Sequence, residues 1–192
     1  MRAVQGAVFS LFFLLLNGCG TSPLSHSVDL WVIHQGGIVE GSQQTRAEAV
    51  ARPLFACCMG RAASIQVLNT DAVSAFSWRN GRVFVTRGLM DHLNDDELAA
   101  VIAHELGHLL SDGQLQTVAS LRGCCVDPDR EVRADATGLA LLRAQGLSAG
   151  PMVSMLRMIE KYGSLPPACR LAMDHRITLL LSNNVISADA RP

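Results

Sequence analysis

An α+β fold is predicted by three observations on this sequence. Short alternating apolar runs, two of them joined by an Asn-Gly turn, lie before residue 87. Helical periodicity, with recognisable start and stop residues, follows from residue 87 onward. The composition, 49% hydrophobic and 17% charged over 192 residues, suits one globular domain with a real core. A formal net charge of -1 gives no electrostatic footprint for nucleic acid, and none is expected as a partner.

In chain order, a polar tether (Thr21 to Ser27) leads to Val28–Ile33, expected to be a strand or extended segment. Gln43 to Met59 is expected to be a helix with Ala47, Val50, Ala51, Leu54 and Phe55 inward, kinked or bounded at Pro53. Ser64–Leu68 alternates as a strand does. Ala72–Trp78 and Arg82–Thr86 are two more strands, and Arg79-Asn80-Gly81 between them is a hairpin signal, since Asn and Gly tolerate positive φ. Gly88–Leu93 is a short helix. Asn94 then caps a helix from Asp95 to Ser111, with Glu97 placed to reach back to the cap. A loop leads to Asp127-Pro128, a second helix start with proline in the first turn, and that helix runs to Gln145 before Gly146. Met152–Lys161 and Leu171–Leu181 complete the helical half. The expected architecture is a small antiparallel sheet packed on a helical bundle.

The N-terminus is separate. The apolar run Ala7–Leu16 has about half the roughly 20 residues of a spanning helix, and follows a single arginine. Its end, Leu16-Asn17-Gly18-Cys19, resembles a lipobox, so residues 1–18 are expected to be a lipoprotein signal peptide and Cys19 to carry lipid. Residues 19–42 are then lipidated cysteine and tether, and 43–192 the main domain. Gly20 after Cys19 directs the expectation to the outer membrane, facing the periplasm. In that oxidising compartment Cys57, Cys58, Cys124, Cys125 and Cys169 can form at most two disulfides, leaving one thiol.

The segment His104-Glu105-Leu106-Gly107-His108 carries the chemistry. Residues four apart on a helix lie about 40° apart around its axis, so both imidazoles leave one face. They can grip a tetrahedral Zn²⁺, one per chain, while Glu105 stands beside the open position as a base. Gly107 is read as allowing close approach to the metal. A third protein ligand is required, and Glu131 in Glu131-Val132-Arg133-Ala134-Asp135 is the candidate. Asp135, four residues on, would accept the second N–H of one histidine. Ala134, Ala136 and Gly138 would let the two helices close on each other. His26, His34 and His92 are assigned to the surface.

The run Ser74-Ala75-Phe76, then Gly81 to Leu89, then Asp95 to His108, then Glu131 to Asp135, resembles the metallopeptidase family of the CAAX prenyl proteases and HtpX, its short bacterial lipoprotein members above all. The resemblance covers roughly residues 45 to 180. It implies a minimal gluzincin fold, with Ser74, Ala75 and Phe76 on an edge strand that pairs with an extended peptide substrate. Two features depart from the family. The gap between the histidine pair and the glutamate is short, which implies a more open cleft or a missing lid. Near the end, Arg176-Ile177 matches a family Arg-Ile, whereas the His-Pro that usually precedes it is replaced by Arg170-Leu171. Arg176 is thus expected to support the site, with His175, directly before it, as the weaker candidate.

The expectation is a zinc endopeptidase acting on polypeptides of the cell envelope, in quality control of misfolded proteins, and held to the membrane by its lipid. Two alternatives stand beside it: a zinc-stabilised binding or chaperone-like module, and a latent protease.

Overall fold

A computed structural model describes residues 23–58, 63–78, 81–111, 119–120, 127–162 and 165–189. The signal segment, Cys19, Asn80, Cys124 and Cys125 lie outside the described residues. The elements are α1 (Pro23–His34), α2 (Ser42–Cys58), β1 (Ser64–Leu68), β2 (Ala75–Trp78), β3 (Arg82–Thr86), α3 (Arg87–Met90), α4 (Asp95–Ser111), β4 (Ala119–Ser120), α5 (Pro128–Ala144), α6 (Gly150–Tyr162) and α7 (Pro167–Asp189). The α+β class is as expected.

The first correction concerns α1. Val28–Ile33, read as extended after a tether, is helical, and the helix begins already at Pro23. Its apolar residues come without a polar face, so period alone did not separate strand from helix. What decides it is packing. Val28 and Val32, one turn apart, bury against Leu68 and Phe84. Trp31 meets Phe84 at 5.3 Å, Phe76 at 5.2 Å and Trp78 at 6.0 Å between ring centroids. Asp29 pairs with Arg82 at 2.9 Å.

The second correction concerns the sheet, which is mixed where an antiparallel one was expected. The strand order is β1-β3-β2-β4. β2 and β3 form the expected antiparallel hairpin, with Gly81 at φ 83° donating its N–H to the Trp78 carbonyl. β1, however, runs parallel to β3, Ser64 opposite Arg82 through Leu68 opposite Thr86. Strand direction depends on which neighbour a strand chooses, and periodicity carries no record of that choice. The outer edge of β1 is covered. The Gln44 amide donates to the Ile65 carbonyl and accepts from the Val67 N–H, both at 2.9 Å, and Val39 donates to the Val67 carbonyl. On the other side, Ala119 and Ser120 of β4 pair with Ser77 and Phe76.

Helix α2 buries Ala47, Ala51 and Leu54 and continues through Pro53 to Cys58. Its Arg46 guanidinium holds the α3–α4 junction, binding Asp95 at 2.7 Å and the Met90 and Leu93 carbonyls at 3.2 and 2.6 Å. Helix α4 starts as expected: the Glu97 N–H donates to the Asn94 side chain and the Asn94 N–H to the Glu97 carboxylate. Every residue of α4 from Leu98 to His108 is buried, because α2, α5, α6 and β2 pack around it. A helix surrounded on all sides has no use for a polar face. Buried Cys169 on α7 is disulfide-bonded, whereas Cys57 is exposed and free.

Candidate metal centre

Two glycines bring α4 and α5 together. A Cβ at Gly107 would stand 2.3 Å from the Ala134 carbonyl oxygen, and one at Gly138 would stand 2.8 Å from that of Ala103. Gly107 therefore serves the approach of α5, where it was read as serving the metal. Ala134 is buried in the same contact, and Ala136 is exposed. The closeness matters because a ligand set divided between two helices requires both axes within side-chain reach.

On this frame His104, His108 and Glu131 converge. All three are buried, and their ligand atoms lie within 4.8 Å of one another. His104 Nε2 is 3.4 Å and His108 Nε2 is 3.3 Å from the Glu131 carboxylate. The imidazoles stand nearly perpendicular, with ring centroids 4.7 Å apart. Asp135, one turn beyond Glu131, lies 2.9 Å from His104 Nδ1. An ionised carboxylate only accepts, so Nδ1 carries the proton it shares with Asp135, and Nε2 is turned toward the centre. Sequence reading paired Asp135 with one of the two histidines; the geometry selects His104.

Arg176 completes the arrangement from α7. Buried at 2% exposure, it donates to Asp135 from Nε at 2.6 Å and from Nη2 at 2.8 Å, and its Nη1 is 3.2 Å from Glu131. One guanidinium thus touches both carboxylates through a fork that lysine lacks. His175 is exposed and directed away, as adjacent helical residues about 100° apart must be. His34 and His92 are exposed, and His92 stacks on Tyr162 at 4.3 Å. The side chain of His26 lies outside the described residues.

The titration behaviour follows from the contacts. Burial alone would depress the His104 imidazole, but hydrogen bonds to Asp135 and Glu131 outweigh it and raise it to about 9. Burial would likewise raise Glu131, yet His104 and His108 hold it far below the usual carboxylate range. Asp135 is lowered against its burial, chiefly by Arg176. Glu105 behaves oppositely: burial pushes its carboxyl up, and His104, His108 and the Ser77 hydroxyl only partly counter this. Ser77, buried on β2, is a site neighbour that sequence reading did not single out. Its signal was present, since Ala75 and Ser77 share the inward phase of the strand.

Neither Glu105 oxygen, nor His104 Nε2, completes a hydrogen bond of normal geometry among the described residues. Buried polar atoms rarely remain so. Two imidazoles and a carboxylate aimed at one point are a donor set for a divalent ion of zinc's type, with Glu105 facing the remaining position. The residues present fit a metal.

Comparison with known proteins agrees. Residues 42–126 match the model of peptidase family M48. Over that stretch the chain is similar to the M48 metallopeptidases. It is 39% identical over 64 residues to metalloprotease YcaL of Escherichia coli (strain K12), covering 33% of this chain and 25% of that protein. It is 38% identical over 64 residues to metalloprotease LoiP of the same organism, with the same two shares. Against protease HtpX of Thioalkalivibrio sulfidiphilus it is 30% identical over 124 residues, 59% of this chain and 41% of that protein. The matched segments thus span less than half of each of these three relatives. The M48 match holds β1 to β3, α4 and its histidine pair, while Glu131, Asp135 and Arg176 lie beyond it.

The expected substrate strand is only partly where sequence reading put it. Ala75 and Phe76 lie on β2, and Ser74 precedes it, with its backbone turned to Thr86 of β3. Beside Phe76 the outer side of β2 is occupied by β4, so at that point it is not an open edge.

Proposed function

We propose that this chain is a zinc-dependent endopeptidase of the gluzincin type, with one Zn²⁺ held by His104, His108 and Glu131. The observation that carries the reading is the buried convergence of those three side chains, with an unsatisfied Glu105 carboxylate beside them. Zinc bound there would supply Lewis-acid polarisation of a carbonyl and a more acidic water. Glu105 takes the proton of the attacking water and returns it to the leaving amine. Burial raises its pKa, the direction that favours holding the proton until the leaving amine takes it. Asp135 holds His104 in one tautomer, and Arg176 keeps Asp135 and Glu131 ionised without solvent.

The remaining parts of the proposal rest on the sequence. Residues 1–18 are a lipoprotein signal, Cys19 is the anchor, and the peptidase domain occupies 43–192 at the outer membrane, facing the periplasm. The disulfide at Cys169 supports an oxidising compartment. The substrates proposed are misfolded envelope polypeptides.

A second reading, the latent protease, is favoured by one observation: β4 pairs with β2 where an extended substrate would pair. Replacing both Ala119 and Ser120 by proline, which cannot sustain a ladder, should raise turnover under that reading and leave it unchanged otherwise.

The deciding experiment is casein cleavage by the zinc-loaded chain beside Glu105→Gln. Cleavage by wild type alone, with zinc retained in both, supports the endopeptidase. Bound zinc with no cleavage by either transfers the assignment to the latent enzyme or to a zinc-held binding module. Absence of stoichiometric zinc refutes the proposal.

A further inference from the structure

We infer that the outer face of helix α1 rests on a lipid surface, so that the chain meets the membrane through protein as well as through an acyl group. The inference depends on the anchor reading, in which Cys19 carries lipid. Between Val28 and Ile33, helix α1 carries large apolar residues on both sides. Val28 and Val32 are buried against the sheet, whereas Leu30 and Ile33, about half a turn around, are 59% and 68% exposed. Of the exposed large hydrophobics among the described residues, only Leu171 is more exposed than Ile33.

Three facts identify lipid as the occupant. Pro23 follows Cys19 by four residues, a reach of about 14 Å at most, so an acylated Cys19 holds the start of α1 close to the bilayer surface. The 12-residue helix is too short to cross a bilayer, and no described helix is long and apolar enough to do so, so α1 would lie along the interface. Asp29, the acidic residue of the helix, is neutralised by Arg82, and the aromatic cluster around Trp31 fixes which side faces the sheet. Leu30 and Ile33 are thereby turned outward, toward whatever the anchor inserts into.

The test uses the full chain on vesicles of phosphatidylethanolamine and phosphatidylglycerol with brominated acyl chains. Both tryptophans, Trp31 and Trp78, report from the cluster beneath α1. Mass spectrometry of the N-terminal peptide reads separately whether Cys19 is acylated. Wild type should be strongly quenched. Leu30→Ser/Ile33→Ser should lose most of the quenching and partition at least about tenfold less, with unchanged casein cleavage in detergent. Quenching that the double substitution removes, on a chain without acyl group, keeps the lipid-facing surface and refutes only the anchor. Weak quenching in wild type overturns the inference whether or not Cys19 is acylated, and so does equal quenching in the two chains. A concentration-dependent dimer abolished by the substitutions, without quenching, assigns the face to a second copy and overturns it too.

Discussion

Alanine at position 107 would add one methyl group to the helix bearing His104 and His108, directly against the backbone of α5. That methyl carbon would stand 2.3 Å from the Ala134 oxygen and 2.9 Å from its carbonyl carbon and Cα, against ordinary contacts of 3.4–4 Å. The obstacle is backbone, so α4 and α5 must part by about 1 Å. Alanine's higher helix propensity favours the variant by about 1 kcal/mol, while overpacking costs about 1–3 kcal/mol. The fold should therefore survive with a net loss of about 0–2 kcal/mol. The metal centre has no such latitude, because zinc–ligand distances hold to about 0.2 Å and Glu131 rides on the displaced helix. Gly107→Ala is expected to weaken zinc binding at least about 100-fold, measured by competition with a chromophoric chelator and paired with metal-free melts. Gly138→Ala, whose contact is 2.8 Å, asks for a smaller shift of about half an ångström and should lose about tenfold. A Gly107→Ala chain that melts normally and binds zinc within about twofold of wild type would refute the claim that helix spacing sets the site.

Further expectations concern the charges and the caps. Arg176→Met leaves Asp135 and Glu131 buried without their counter-charge, for a loss of about 3–5 kcal/mol in chemical denaturation and a zinc affinity about 10–100-fold lower. Arg176→Lys should rescue only part, since one ammonium cannot span both carboxylates; full rescue would contradict the fork geometry. With His104 raised to about 9, the metal-free chain holds a proton there at pH 7, and zinc uptake should expel about one. Calorimetry in two buffers of different ionisation enthalpy reads it, and identical heats would count against it. The same elevated value fixes a sign: the stability His104 contributes is full below pH 6.5 and is lost as pH rises through about 9. Metal-free melts should fall over that window, and zinc-loaded ones should not. Asn94→Ala, removing the side-chain acceptor for the Glu97 N–H while the residue-94 N–H can still donate to Glu97, should cost about 1 kcal/mol by thermal denaturation.

What could be read from the sequence was local. The Asn94 and Glu97 pair located α4 to the residue, Asp127-Pro128 located the start of α5, and spacing alone put His104 and His108 on one face. Arg176 was found through resemblance, and its reason for being there, a fork across two carboxylates, is visible only in the fold. The misses have one cause, namely that they depend on contacts far away in sequence. Whether Val28–Ile33 coils or extends is decided by Leu68 and Phe84; β1 chooses β3 across the hairpin; Gly107 answers to Ala134; Ser77 reaches Glu105 from another element.

The guanidinium that steadies this centre arrives late. Arg176 stands 72 residues after His104 and 41 after Asp135, on the last described helix. A chain emerging N-terminus first presents its histidine pair long before the counter-charge exists. Until α7 docks, two acidic side chains have no means of staying dry, and the ion's seat is unfinished. Completion of the fold is thus expected to precede a firm grip on metal: a copy whose α7 has not docked should bind it poorly.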